Sequence, residues 1–239
     1  MTLLLNLYLG HLLGDFVFQP GRLVAAKRKG VYGLLAHVSI IGVSTSAILF
    51  EDLGTLWYII ALAMGAHTLI EIITIGARAS TRLSGLSIFL IDQALHILSL
   101  VALVLVATSS VTIDAVTTLG MTLDPVWIAL ACATILVTFM GSIVVFEVSN
   151  TFGPNTWNLE ILPYDTARVA GMIERGAALM LAIFVSPAAL VAPFLPRVVL
   201  AFRRPEDEKA RQMIIAAAGL AISVLGWAFV IASVSTQPS

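Results

Sequence analysis

Long apolar stretches separated by short polar connections account for most of the chain. Each of seven stretches approaches the roughly 20 residues that cross a bilayer core; they are 2–18, 31–50, 55–77, 86–108, 125–146, 167–186 and 213–233. An eighth stretch, 188–202, is shorter and is interrupted by prolines, so it is either a bent span or a re-entrant piece. The pattern predicts an all-α polytopic transmembrane helix bundle with about seven or eight spans.

Composition makes the membrane the natural solvent for this chain. Of its 239 residues, 59% are hydrophobic and 11% are charged, whereas soluble domains carry about 25% charge. The net charge of −1 provides no basic field, so nucleic acid is not an expected partner. The lipid bilayer is the expected surroundings.

Basic residues alternate between successive connections, and this predicts an orientation. The connections 51–54 and 109–124 contain none. Basic residues occur in 19–30, in 78–85, at the start of the sixth stretch and before the last one: Arg22, Lys27, Arg28, Lys29, Arg78, Arg82, Arg168, Arg203, Arg204, Lys209 and Arg211. The N-terminus is therefore expected outside, with 19–30 in the cytoplasm. This orientation favours a crossing by 188–202.

Two transmembrane modules are expected. Residues 1–108 form a four-helix module that carries the polar site described next. Residues 109–239 form a C-terminal module with a cytoplasmic loop at 147–166, where Gly153-Pro154 and several Asn residues are typical of turns.

Ionisable side chains inside the first four stretches carry the candidate chemistry. The four histidines are His11, His37, His67 and His96. Three of them have a carboxylate four residues away, namely Asp15, Glu71 and Asp92. Residues four apart share one face of a helix. With the predicted orientation and a rise of 1.5 Å per residue, all seven groups lie about 5–15 Å below the cytoplasmic surface.

Energy indicates that these groups compensate one another or share a cation. An ionisable side chain at membrane depth costs about 2.5–3.5 kcal/mol, so seven without partners would exceed the net stability of most domains. Imidazoles and carboxylates without a thiolate suit zinc or manganese, with iron as a further option. The set fits two metals bridged by a carboxylate, or one metal with oriented carboxylates around it. The candidate ligands are His11, Asp15, His37, His67, Asp92 and His96.

Three further residues are candidates for catalysis. Glu71 is either a ligand or a general base, because a carboxylate beside a metal-bound water can accept its proton. In "RVAGMIERGAAL", Arg175 is expected to bind an anionic group such as a lipid phosphate, and Glu174 to orient another side chain. A snorkelling pair at the membrane interface is the alternative for Glu174 and Arg175.

The motifs also resemble a known family. "HLLGDFVFQ", "LLAHVSI", "AHTLIE" and "FLIDQALH" are similar, in this order, to a bacterial membrane family called domain of unknown function 3307. "GMIER" and "PRVVLAFRRPEDEKARQ" resemble the C-terminal half of its longer members. The resemblance implies a bacterial inner-membrane location and Asp at the position of Glu71. In motif style the family is similar to inner-membrane proteins described as metal-dependent hydrolases.

These observations favour a membrane-embedded, metal-dependent hydrolase that acts on a lipid or amphiphilic substrate near the cytoplasmic leaflet. A proton- or metal-coupled transporter or channel is one alternative, because such proteins also place ionisable groups inside helices. A haem-binding membrane subunit is another, although two axial histidines would leave the three acids unexplained.

Overall fold

The computed structural model describes residues 2–110, 124–152 and 162–235, and these residues form helices and connections without a strand. The α-helices are α1 (Thr2–Leu12), α2 (Gly21–Lys29), α3 (Val31–Ile48), α4 (Leu53–Ser80), α5 (Gly85–Ser110), α6 (Pro125–Ile135), α7 (Gly141–Phe152), α8 (Thr166–Phe184), α9 (Leu195–Ala201) and α10 (Glu206–Ser235). Leu13–Val17 and Leu136–Met140 are π-helical, and Phe50–Asp52 and Pro187–Phe194 are 3₁₀-helical. The predicted all-α class is confirmed.

Several helices are long and apolar enough to cross a membrane. In the described part of the chain there are 5, namely Val31–Ile48, Phe50–Ser80, Gly85–Ser109, Pro125–Phe152 and Glu206–Ser235. Large apolar side chains such as Val43, Leu98 and Leu105 are exposed on the outside of these helices, the reverse of a soluble surface. The chain is a multi-pass membrane protein.

The other predicted spans take different forms. Thr2–Val17 and Pro187–Ala201 are apolar but shorter, and α8 contains Arg168, Glu174 and Arg175 among its apolar residues. The stretch predicted at 188–202 is not one α-helix, because Pro187 begins a 3₁₀ segment and Pro193 lies within it. The finer count of seven or eight spans stays a prediction.

Two predicted connections contain helix. Residues 21–29 of the connection 19–30 form α2, which has no buried residue. Helix α7 continues to Phe152, so the first part of the predicted loop 147–166 is helical. Gly153 and Pro154 lie outside the described residues.

The chain forms two compact units, Met1–Cys132 and Ala133–Ser239. In the first unit, α1 packs against α3 and α5, and α4 packs against the same two helices. The four helices therefore close into a ring. The predicted module 1–108 lies within this unit, and its independence as a domain stays a prediction.

Glycine allows α1 and α3 to approach closely at one end of the ring. A Cβ atom on Gly10 would lie 2.7 Å from the Cα of Thr45, and one on Gly14 would lie 2.5 Å from Cδ1 of Ile41. These glycines are four residues apart, the small-xxx-small spacing that brings membrane helices into contact. Their neighbours in sequence are His11 and Asp15, so the close approach holds the first pair of candidate ligands against α3.

In the second unit, α10 packs against α7, α8 and α9. Gly226 lies against Val137, and a Cβ atom on Gly219 would lie 2.8 Å from the ring of Phe194. Close packing at small residues thus recurs in this unit.

Replacing Gly10 with alanine is expected to destabilise the protein by about 1–3 kcal/mol, because the added methyl collides with the backbone of Thr45. Thermal unfolding in detergent micelles measures the effect. Gly65→Ala is the matched control, since a Cβ there meets nothing within 4 Å and alanine favours the helix. Equal stability of the two variants would contradict the close packing of α1 on α3.

Candidate metal centre

All four histidines of the chain lie together inside the first unit, one from each helix of the ring. His11, His37, His67 and His96 are each at most 3% exposed. Ring centroids are 4.5 Å apart for His67 and His96, 4.7 Å for His11 and His96, and 4.9 Å for His37 and His67. The predicted convergence of the four histidines is confirmed.

Asp15 lies at the centre of the histidines. Its Oδ1 is 3.1 Å from Nε2 of His37 and 3.8 Å from Nε2 of His67, while its Oδ2 is 3.5 Å from Nε2 of His11. The residue belongs to the π-helical turn Leu13–Val17 that follows α1. Such turns are rare in proteins overall, and those that occur often lie at functional sites. The turn directs the two carboxylate oxygens toward different histidines.

Glu71 lies on the other side of His37. Its Oε1 is 3.3 Å from Nε2 of His37 and 3.8 Å from Nε2 of His67. The two imidazoles themselves face each other with their Nε2 atoms 2.9 Å apart, so a single proton or a shared cation between them avoids repulsion of two lone pairs.

Two overlapping sets of side chains could hold a metal ion. In each set, one ligand atom per residue lies within 4.8 Å of the others; the sets are His11, Asp15, His67 and His96, and Asp15, His37, His67 and Glu71. We call them the tri-histidine set and the di-carboxylate set. Bonds of 2.0–2.1 Å to a tetrahedral zinc place ligands roughly 3.3 Å apart. The Asp15–His11 and Asp15–His37 separations, 3.5 and 3.1 Å, are close to this value.

Unsatisfied atoms fit a cation in the tri-histidine set. Nε2 of His11 and Nε2 of His96 are both buried without a hydrogen-bond partner, an unfavourable state for polar atoms. A small cavity beside the rings is lined by His11, His67 and His96, by Thr45 and Ser99, and by apolar side chains of the surrounding helices. An ion bound by the two nitrogens would give them the partner that the described residues do not provide.

Asp92 lies outside both sets, although it was a predicted ligand. Its backbone carbonyl accepts a hydrogen bond from Nδ1 of His96 at 2.9 Å, and its Oδ2 is 3.6 Å from the same nitrogen. Gln93 donates to that carboxylate at 2.8 Å. These contacts orient His96 with Nε2 toward the centre, the usual role of an acceptor behind a metal-binding imidazole.

Lys27 is a member of the cluster that the sequence did not indicate. Its Nζ lies 2.5 Å from Oε1 of Glu71, and the lysine side chain is 11% exposed. Gln19 is also present: with its amide oxygen turned inward, it accepts from Nδ1 of His37 at 2.8 Å and from Lys27 at 3.0 Å. Among four basic residues of one connection, nothing in the sequence distinguished Lys27.

Arg175 and Glu174 belong to the second unit, and both have protein partners there. Arg175 is 3% exposed. Its Nε donates to the carbonyl of Val137 at 2.5 Å, and its Nη2 donates to Thr138 O at 3.0 Å and Ser142 Oγ at 2.7 Å. Glu174 accepts from Nε of Arg197 at 2.9 Å. The contacts favour a structural role for Arg175 over the predicted binding of an anion. Glu174 contacts the side chain of Arg197, and its predicted role of orienting another side chain stays a prediction.

The contacts of Arg175 also explain two glycines near it. Val137 and Thr138 belong to the π-helical segment Leu136–Met140, whose irregular backbone leaves carbonyls that need donors. A Cβ on Gly141 would lie 3.0 Å from Nε of Arg175, and one on Gly171 would lie 3.1 Å from Nη1. The glycines leave room for the guanidinium group.

The fold and the cluster together define a multi-pass α-helical membrane protein with a buried histidine–carboxylate group that could hold a metal ion. A family model described as Protein of unknown function (DUF3307) matches residues 3–123, more than half of the chain, and the chain belongs to this family. The matched residues include the whole cluster, while "GMIER" lies beyond them. No curated protein and no solved structure matches the chain.

Replacing Arg175 with methionine is expected to lower the stability of the protein by about 1–3 kcal/mol, because the buried carbonyl of Val137 loses its side-chain donor and the carbonyl of Thr138 keeps only the hydroxyl of Ser142. Thermal unfolding in micelles measures this. Glu174→Gln is the control and should cost less, since the Glu174–Arg197 pair is partly exposed. An Arg175→Met protein of unchanged stability that lost binding of an anionic lipid would instead support the predicted anion site.

Proposed function

We propose that this protein is a membrane-embedded, divalent-metal-dependent hydrolase that acts on a lipid or another amphiphilic substrate near the cytoplasmic leaflet. The observation that carries the proposal is the burial of four histidines and two carboxylates in contact with one another, in the apolar interior of a membrane protein. Zinc or manganese fits the all-nitrogen-and-oxygen donor set best, and iron fits it next.

The tri-histidine set is the proposed metal site. Three imidazoles and one carboxylate complete a four-coordinate shell, so water or substrate would bind as a fifth ligand, an expansion that catalytic zinc sites can undergo. A metal held there would polarise the scissile group of the substrate and activate a water molecule. Glu71, whose Oε1 is 3.8 Å from Nε2 of His67 in this set, is the proposed proton acceptor. Asp92 holds His96 in position, and His37 connects Asp15 with Glu71 through its Nε2.

The placement of the cluster within the ring supports an enzyme over a carrier. The opposite half of the ring is a dry core that contains Leu3 and Leu7 of α1, Leu56 of α4, and Leu100 and Leu103 of α5. A carrier needs its site to reach both faces of the membrane in turn. Here the apolar core closes one direction, and the polar groups lie toward the connection that contains α2.

The orientation proposed for the protein follows from the basic residues. Arg22, Lys27, Arg28 and Lys29 all lie in α2, on the side of the ring where the cluster lies. By the positive-inside tendency this side is cytoplasmic, which places the N-terminus outside and the site near the cytoplasmic leaflet of a bacterial inner membrane. The substrate then enters from that leaflet.

The packing of the histidine rings does not favour the haem alternative. A haem would have to lie between two axial imidazoles. The imidazoles of His11, His67 and His96 instead pack against one another at centroid distances of 4.5–5.4 Å.

Replacing His96 with alanine is expected to lower the bound metal to about one tenth of the wild-type content or less, because the site loses a ligand. Hydrolysis should fall with it. The metal content is measured by elemental mass spectrometry on protein purified in nanodiscs. Hydrolysis is measured with acyl-chain substrates that carry a chromogenic phosphoester, carboxyl ester or amide. The control is Ser44→Ala, a buried polar change in α3 outside both metal sets.

Full metal content in the His96→Ala protein would contradict the proposed site. Metal-loaded wild-type protein that hydrolyses none of the three substrate classes would contradict the proposed reaction. A Soret band in the purified protein would favour the haem alternative.

A further inference from the structure

We infer that Lys27 is a built-in cation of the cluster: its ammonium group neutralises the di-carboxylate set, so that the centre takes one divalent cation, in the tri-histidine set. The inference rests on the proposed metal site and is independent of whether the protein is a hydrolase. It makes Lys27 the residue that determines how many metal ions bind.

The first argument is the geometry of the ammonium group. Nζ of Lys27 lies 2.5 Å from Oε1 of Glu71, a charge-assisted contact. The amide oxygen of Gln19 is its second acceptor, at 3.0 Å, and the same oxygen accepts from His37. A lysine on a membrane-surface helix ordinarily extends its amine toward water. Lys27 instead directs its amine to one of the four residues that could bind a second metal.

The second argument is how the chain brings α2 to the cluster. Helix α2 has no fully buried residue, and its apolar residues 23–26 are only half-buried, so apolar burial alone holds it weakly. It is held by a close backbone approach, because a Cβ on Gly33 of α3 would collide with the carbonyl of Ala26. Ala26 immediately precedes Lys27, so this contact fixes the backbone from which the lysine side chain reaches Glu71.

The third argument is charge. Asp15, Glu71 and Asp92 contribute three negative charges, and Lys27 contributes one positive charge. With neutral imidazoles, one divalent cation brings the group to zero. A second divalent cation would leave two uncompensated positive charges inside the membrane, where unpaired charge is strongly unfavourable. One metal together with Lys27 is therefore the balanced state.

The two metal sets also compete for the same side chains. Both include Asp15 and His67. Because the Nε2 of one imidazole binds a single metal ion, a second ion would be held by His37, Glu71 and a carboxylate bridge from Asp15, without His67. With Lys27 on Glu71, a cation in the di-carboxylate set would have to displace the ammonium as well as share these ligands. Removing the lysine charge leaves a carboxylate that needs a new cation.

The test is the number of zinc ions bound per chain, measured by elemental mass spectrometry after dialysis against buffered zinc. The wild-type protein is expected to bind one. Lys27→Met is expected to bind two at saturation, and Lys27→Arg, which keeps the charge, is expected to bind one. Lys29→Met, an exposed charge removal on the same helix, is the matched control and should also bind one.

A combined variant locates the second ion. Lys27→Met with Glu71→Gln removes both the ammonium and the carboxylate that it neutralises, so the count is expected to return to one. Thermal unfolding of each variant establishes that it is folded. Two zinc ions in the wild-type protein would overturn the inference without reference to any variant. One zinc in a folded Lys27→Met protein would overturn it too.

The outcomes separate this inference from the proposed function. Suppose that the wild-type protein binds one zinc ion, the Lys27→Met protein binds two, and no substrate is hydrolysed. This result would support the role of Lys27 and contradict the proposed hydrolase activity. Hydrolysis by a wild-type protein that binds two ions would support the proposed hydrolase activity and contradict the proposed role of Lys27. Absence of bound zinc, manganese and iron in the wild-type protein would overturn both.

Discussion

Polar side chains at membrane depth need one another as partners, and this requirement determines how the helices of the first unit are arranged. No water in the bilayer core can solvate an imidazole or a carboxylate. His11, His37, His67 and His96 come from four different helices. Three of them have a carboxylate four residues away, but the four imidazoles meet only when the ring closes around Asp15. The same groups that would be unfavourable on separate helices therefore specify how those helices pack, and the cation they are proposed to hold would stabilise the closed ring.

Irregular backbone and small residues provide the close approach that this arrangement requires. Gly10 and Gly14 bring the first helix against α3, and the π-helical turn after it directs Asp15 into the centre. The second unit solves a similar problem with a different residue. There Arg175, between Gly141 and Gly171, provides donors to the carbonyls of a second π-helical segment. Buried ionisable residues thus serve two purposes in this chain. In the first unit they form the candidate metal site, and in the second unit they donate hydrogen bonds to backbone carbonyls.

Periodicity and depth were sufficient to predict the helical class and the meeting of the histidines, because hydropathy and spacing along a helix are local properties. Contacts between distant residues were not accessible in this way. The position of Lys27 depends on where α2 lies, and that depends on Gly33 meeting Ala26. The partners of Arg175 depend on a π-helical segment 38 residues away. The small-xxx-small spacing in "GHLLG" was a signal for close packing that the hydropathy pattern did not use.

X-ray absorption at the metal edge of the purified protein tests the central claim, that imidazoles and carboxylates of the ring hold a divalent cation. The expected spectrum has a first shell of nitrogen and oxygen at roughly 2.0–2.1 Å, with the outer-shell scattering of about three imidazoles. A sulfur shell would contradict the claim, because the single cysteine, Cys132, belongs to neither metal set. A shell without imidazole scattering would contradict it equally.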